Sequence, residues 1–206
     1  MIAIVDYGMG NLRSVQKAVE RVGGDARLAR TADELTGADK VILPGVAAFG
    51  DAMDQLRGQG LIEPLRRALA GGVPYLGFCL GLQLLFEVSN EQGEHRGLGI
   101  FPGKVTRLEP GDRASGRKLS VPHMGWNQIR ITSPCPLWEG IPSGAYVYFA
   151  HSYYVVPAEK ELTAAVTEYG GEFTSAVWRK NVFATQFHPE KSQAVGLRLL
   201  ENFVRL

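Results

Sequence analysis

The sequence predicts an α/β protein with a mainly parallel central sheet and antiparallel additions in its second half. Three observations carry this. Short β-rich runs alternate with helical runs as far as Phe78, and each of those strands reads as a nearly unbroken apolar run. From Gly99 onward the chain is β-rich, with turn signals between short runs.

"IAIVDY" reads as a buried first strand, and "NLRSVQKAVERVG" as a helix with Leu12, Val15, Val19 and Val22 on one face. Gly23 and Gly24 end that helix, and "ARLAR" is a second, weaker strand. "KVILPG" is a third strand, closed by Pro44 and Gly45. "DAMDQLRGQGLIEPLRRALAGG" gives helical pieces broken near Gly58 and Gly60, and "VPYLGF" is a fourth strand. In such sheets ligands bind beyond the carboxyl ends of the strands. "GIFPGKVTRL", "GWNQIRI", "GAYVYFAHSYYVV", "ELTAAVTEY", "FTSAVWRK" and "VFATQF" follow as β-rich runs, and "KSQAVGLRLLENFVRL" closes the chain as an amphipathic helix. Their short linkages suggest additions to one sheet, so residues 1–206 are expected to form a single domain.

The 206 residues suffice for one sizeable core, and 45% apolar with 21% charged residues is ordinary for a globular chain. A formal net charge of +1 gives no electrostatic reason to expect nucleic acid or an anionic membrane as partner. "MIAIVDYG" lacks the basic start and long apolar run of a signal peptide. The most apolar stretch, Val73 to Phe86, is interrupted and falls short of the roughly 20 residues of a membrane span. Cys79 and Cys135 make no disulfide framework, which suits a reducing cytoplasm.

"GFCLG" has the form Gly-x-nucleophile-x-Gly, a nucleophile elbow with Cys79 in the place of serine. Gly77 and Gly81 lack Cβ atoms, so backbone can approach closely around a strained central residue. Cys79 would then stand at a helix start, where partial positive charge favours thiolate, and the Leu80 N–H would face an incoming substrate. The motif alone is equally compatible with a buried structural cysteine. "ATQFHPEKS" tips the balance. Residues i and i+2 of an extended segment point the same way, so His188 and Glu190 can project together, the carboxylate orienting the imidazole. A Cys-His-Glu triad is the better reading of the two motifs together.

With these residues in view, "GFCLGLQLLFE" and "TQFHPEKS" resemble the paired signatures of class I (triad) glutamine amidotransferases, and "LPGVAAFGDAM" resembles that family's oxyanion loop. "VDYGMGNLRSV", "VPHMGWN", "YFAHSYYV" and "TQFHPEKS" are similar, more narrowly, to the glutaminase subunits of imidazole glycerol phosphate synthases. The resemblance implies a three-layer, flavodoxin-like fold and hydrolysis of L-glutamine to glutamate and ammonia. The ammonia would pass to a separate cyclase subunit in a heterodimer serving histidine biosynthesis. It further implies Cys79 as nucleophile, His188 as acid and base, Glu190 as its orienter, and the backbone N–H groups of Val46 and Leu80 as oxyanion donors. Gln83, Glu91, His151, Ser152 and Tyr153 would contact the substrate. Asn11, His123, Met124, Trp126 and Asn127 would lie toward the cyclase. One departure stands out: Ala47 occupies the place of a family glycine, and a positive φ there would cost on the order of 1 kcal/mol.

Other features read blandly. "GMGN" lacks the third glycine of a dinucleotide loop, Arg13 standing in its place, and no cofactor is expected. His95, His123 and His151 show no zinc spacing, so no metal is expected either. Cys135, between Pro134 and Pro136, reads as a structural loop residue. "RGQGLIEPLRR" and "GDRASGRK" read as solvated surface. A glutaminase for another acceptor synthase would share "GFCLG" without reason to carry "PHMGWN". A catalytically silent binding subunit would have no use for an intact Cys79, His188 and Glu190.

Overall fold

The computed structural model describes residues 1–109 and 119–206; "GDRASGRK" lies outside the described residues. The first half forms β1 (Ile2–Val5), α1 (Leu12–Arg21), β2 (Ala26–Ala29), α2 (Ala32–Thr36), β3 (Lys40–Leu43), α3 (Phe49–Gly58), α4 (Ile62–Ala70) and β4 (Tyr75–Phe78). Then come α5 (Leu80–Gln83), β5 (Phe86–Ser89), β6 (His95–Arg96), β7 (Phe101–Arg107), β8 (His123–Gln128) and β9 (Arg130–Ile131). The chain ends with β10 (Tyr146–His151), β11 (Tyr153–Pro157), β12 (Thr163–Glu168), β13 (Glu172–Arg179), β14 (Val182–Thr185) and α6 (Gln193–Arg205).

Helix α2 was absent from the sequence expectation, although its signal is present. Thr31 and Glu34 form a capping box: the Glu34 N–H donates to Thr31 Oγ1 at 3.4 Å, and the Thr31 N–H donates to Glu34 Oε2 at 3.0 Å.

The sheet runs β2-β1-β3-β4-β14-β13-β11-β7-β5-β6, with β12 on β13 and β9 on β12. Strands β2, β1, β3, β4 and β14 are mutually parallel, and most pairings beyond β14 are antiparallel. Strand alternation divides the core into the two faces of a three-layer fold. Ala3, Val5, Val41 and Leu43 meet α3 and α4 through Met53, Leu56, Leu65 and Leu69. Ile2, Ile4, Ile42, Leu76 and Phe78 meet α1 and α6 through Val15, Val19, Leu199, Leu200 and Phe203.

Two details of the second half differ from simple antiparallel additions. Strands β8 and β10 form a separate two-stranded sheet. The last strand, β14, enters the middle of the large sheet parallel to β4, with Ala184 opposite Gly77 and Thr185 opposite Phe78. Their carboxyl ends therefore lie side by side, and the Cys79 N–H donates to the Thr185 carbonyl at 2.8 Å. This pairing brings His188 beside Cys79.

Candidate active site

Cys79 is the single residue between β4 and α5, with φ 51° and ψ −100°. A positive φ outside glycine is costly and is held only where the surroundings over-determine it. Those surroundings are visible at both flanking glycines. A Cβ on Gly77 would stand 2.5 Å from the Gly81 carbonyl oxygen, and one on Gly81 would stand 1.8 Å from the Leu43 carbonyl oxygen. Helix α5 is one turn long, because the chain re-enters the sheet as β5 at Phe86. Its macrodipole is accordingly slight, and the local N–H groups matter more. The hydrogen bonds of that turn begin with Leu82 and Gln83, whose N–H groups donate to the Cys79 carbonyl, so they do not engage the Leu80 N–H.

The Cys79 sulfur faces a cavity of about 530 Å³ at the carboxyl ends of β3, β4 and β10. Val46 and Leu80 line it beside the thiol, and Gln83, Glu91, His151, Ser152 and Tyr153 complete much of its wall. Ala47, also in the wall, is not among the residues with positive φ, so the strain considered for it does not arise. Beneath this loop the buried Tyr7 hydroxyl donates to the Pro44 carbonyl at 3.0 Å. Glu91 has a structural duty as well: its Oε2 accepts the Phe49 N–H at the start of α3, at 2.8 Å.

His188 follows β14 and is 2% exposed. Its N–H donates to the Tyr148 carbonyl at 2.9 Å, and its carbonyl accepts the Ser192 hydroxyl at 2.7 Å. That hydroxyl also accepts the Tyr148 N–H at 3.0 Å, so one buried serine pins the turn to β10. His188 Nδ1 lies 2.9 Å from Glu190 Oε1, and among the described residues Nε2 has no hydrogen-bond partner. Burial alone would lower the imidazole pKa. The Cys79 sulfur and the Glu190 carboxylate outweigh that and raise it to about 9.

The five residues expected to face a partner do not share one surface. Met124 and Trp126 are 65% and 46% exposed, and Asn11 is exposed at the cavity rim. His123 is buried and stacked between Phe149 and Tyr169, with centroids 4.7 and 3.9 Å away. Alternation along β8 turns His123 and Asn127 to the face opposite Met124 and Trp126. His123 Nδ1 instead meets His151 Nε2 at 3.0 Å, and Asn127 Nδ2 lies 3.3 Å from His123 Nε2. Burial lowers the pKa of both imidazoles, to about 4 for His123 and about 3 for His151.

Lys191 and Gln186 are polar residues of the site that were missed in the sequence. Lys191 lines the cavity with its ammonium 5.8 Å from the Tyr148 ring centroid, and its only signal was adjacency to "HPE". Gln186 is wholly buried, and its side-chain amide donates to the Cys79 sulfur at 3.5 Å.

The profile described as "Glutamine amidotransferase class-I" matches residues 3–206. A crystal structure of a glutamine amidotransferase has a similar fold, with a TM-score of 0.75 at 20% identity, covering 100% of this chain and 99% of that one. PurLQS from Thermotoga maritima gives 0.73 at 19%, covering 99% and 97%; at such identities the likeness is one of fold. The chain belongs to the class-I glutamine amidotransferase family.

Within that family it groups with proteins described as "Imidazole glycerol phosphate synthase subunit HisH". The one from Syntrophotalea carbinolica is 58% identical, covering 98% of this chain and 98% of its own length. Those from Moorella thermoacetica and Geobacter sulfurreducens are 52% and 50% identical, covering 100% and 98% of this chain and 94% and 97% of their own.

Proposed function

We propose that the chain is the glutaminase subunit of an imidazole glycerol phosphate synthase, acting as one domain over residues 1–206. It hydrolyses L-glutamine and delivers the ammonia to a separate cyclase subunit in histidine biosynthesis. The observation that carries the reading is the convergence of Cys79, His188 and Glu190 at the carboxyl ends of two adjacent parallel strands.

In this reading the Cys79 sulfur adds to the side-chain amide carbon of glutamine, and the oxyanion is met by the Val46 and Leu80 N–H groups. His188 gives a proton from Nε2 to the leaving nitrogen, and ammonia departs from a glutamyl thioester. Water then adds to the thioester carbon as His188 takes its proton. The C–S bond breaks with its electron pair returning to sulfur, and glutamate leaves. Glu190 holds the imidazole and stabilises its cation. Gln83, Glu91, His151, Ser152 and Tyr153 hold the amino-acid end of the substrate. None of these steps calls for a metal or cofactor.

The cyclase docks on the exposed Met124 and Trp126 side of the cavity mouth, with Asn11 at its edge. Aromatic and methionine side chains are favoured anchors of such interfaces. No helix among the described residues is long and apolar enough to cross a membrane, and we assign the chain to the cytoplasm.

Replacing Cys79→Ala tests the reading. Glutamine-dependent synthesis by the assembled complex should vanish while added ammonia still supports it. Retention of glutamine-dependent turnover would refute the triad.

A further inference from the structure

We propose that Gln186 is a further catalytic residue, whose side-chain N–H donates to the Cys79 sulfur and stabilises negative charge on it. This rests on the triad reading above and adds a group that the Cys-His-Glu set does not contain.

The orientation of the amide follows from its neighbours. Gln83 Nε2 lies 2.9 Å from the Tyr153 carbonyl oxygen, which can only accept a hydrogen bond. The end of Gln83 facing it is therefore the NH₂ group. The same nitrogen lies 3.2 Å from the Gln186 side chain, which must present its oxygen to accept the second N–H. That leaves the Gln186 NH₂ directed at Cys79 Sγ, 3.5 Å away. Turning the amide over would set oxygen against sulfur and NH₂ against NH₂, so the donor orientation is enforced at both ends.

The carbonyl of Tyr153 anchors a second arm, accepting the N–H of His151 Nδ1 at 2.8 Å. His151 and its neighbour His123 are neutral, so this arm does not disturb the carbonyl with a titrating charge near pH 7.

Burial strengthens the argument. Gln186 is 0% exposed and is not part of the cavity wall, so its amide is out of reach of water and of substrate. A polar side chain at such a position requires partners. Here the partners are Gln83 and the nucleophile. Sulfur carries negative charge twice in the cycle: before it attacks the amide, and when it leaves the thioester during hydrolysis. A fixed N–H donor in a dry setting favours both moments.

The test is alkylation of the isolated full chain by iodoacetamide, followed by peptide mapping. Cys135 is buried, with its thiol pushed up to about 12, and serves as the silent control. Gln186→Met keeps the bulk and removes the donor. It should slow Cys79 alkylation at neutral pH about tenfold or more, move the alkylation profile to higher pH, and lower kcat with KM held within about twofold. A merely structural role would not move the pH profile.

Should the methionine variant fold poorly, the wild type carries the test. The Gln186 side-chain amide resonance should shift in step with the pH profile of Cys79 alkylation. A folded Gln186→Met chain alkylated at the wild-type rate and pH would overturn the inference, as would an amide resonance indifferent to that profile. Absence of fast labelling at Cys79 in the wild type would overturn the triad reading itself, and this inference with it.

Discussion

His188 shows how opposing physical effects on one buried side chain set a working range. Burial pulls it toward neutrality, while Cys79 and the Glu190 carboxylate raise its pKa to about 9. Its stabilising contribution is therefore full below the unfolded value of about 6.5 and is lost as pH rises through about 9. In the proposed mechanism the same proton is offered to departing ammonia, so kcat/KM should carry an alkaline limb near 9. Glu190→Gln removes the charge but keeps the shape. That limb should move to lower pH in a pH-rate profile, with partial activity left. His123 and His151 act in the opposite sense. Their folded values of about 4 and 3 lie below the unfolded one, so stability should fall as pH drops through about 6.5 toward 4. His123→Phe keeps the stack between Phe149 and Tyr169, and thermal melts across pH should show a shallower acid slope.

At the scale of elements, the strand-turn-helix at Cys79 and the strand-turn at His188 do most of the positioning. Gly81→Ala would drive a Cβ into the Leu43 carbonyl of β3, where backbone cannot give way. It should cost about 1–3 kcal/mol or more in denaturant unfolding and abolish labelling of Cys79. Thr31→Ala, far from the cavity, should cost about 1 kcal/mol by removing the α2 cap and leave labelling unchanged. Both glycines and the "HPE" turn were legible, because close backbone approach and period-two projection are local properties. Helix α2 was legible in principle through its capping box. The brevity of α5 was not, since the apolar run through Leu85 suits a helix and a buried strand equally well. Alternation along "HMGWN" already separated His123 and Asn127 from Met124 and Trp126; the motif, read as one block, obscured it.

For the whole molecule, what the sequence left out is what only long-range pairing creates. Gln186 reads as an ordinary polar residue until β14 lies parallel to β4 and brings it to a thiol 107 residues away. The parallel sheet was clear from the alternation of the first half and its three-layer order came only with the family resemblance, but the separate β8–β10 sheet was not legible, since short antiparallel runs do not declare which edge they join. This small sheet exposes Met124, Trp126 and Tyr146 at 65%, 46% and 56%, and Met124 also lines the cavity. Trp126→Ala should weaken cyclase binding by about 2 kcal/mol in a titration. The thermal midpoint of the isolated chain should stay within about 2 °C of the wild type. The central claim is that the Cys79 sulfur forms a glutamyl thioester, and rapid acid quench of the complex with labelled glutamine, followed by peptide mapping, tests it most directly. The expected result is label on the Cys79 peptide, absent in Cys79→Ala; turnover of glutamine with no such label, or with label on another residue, would contradict the account.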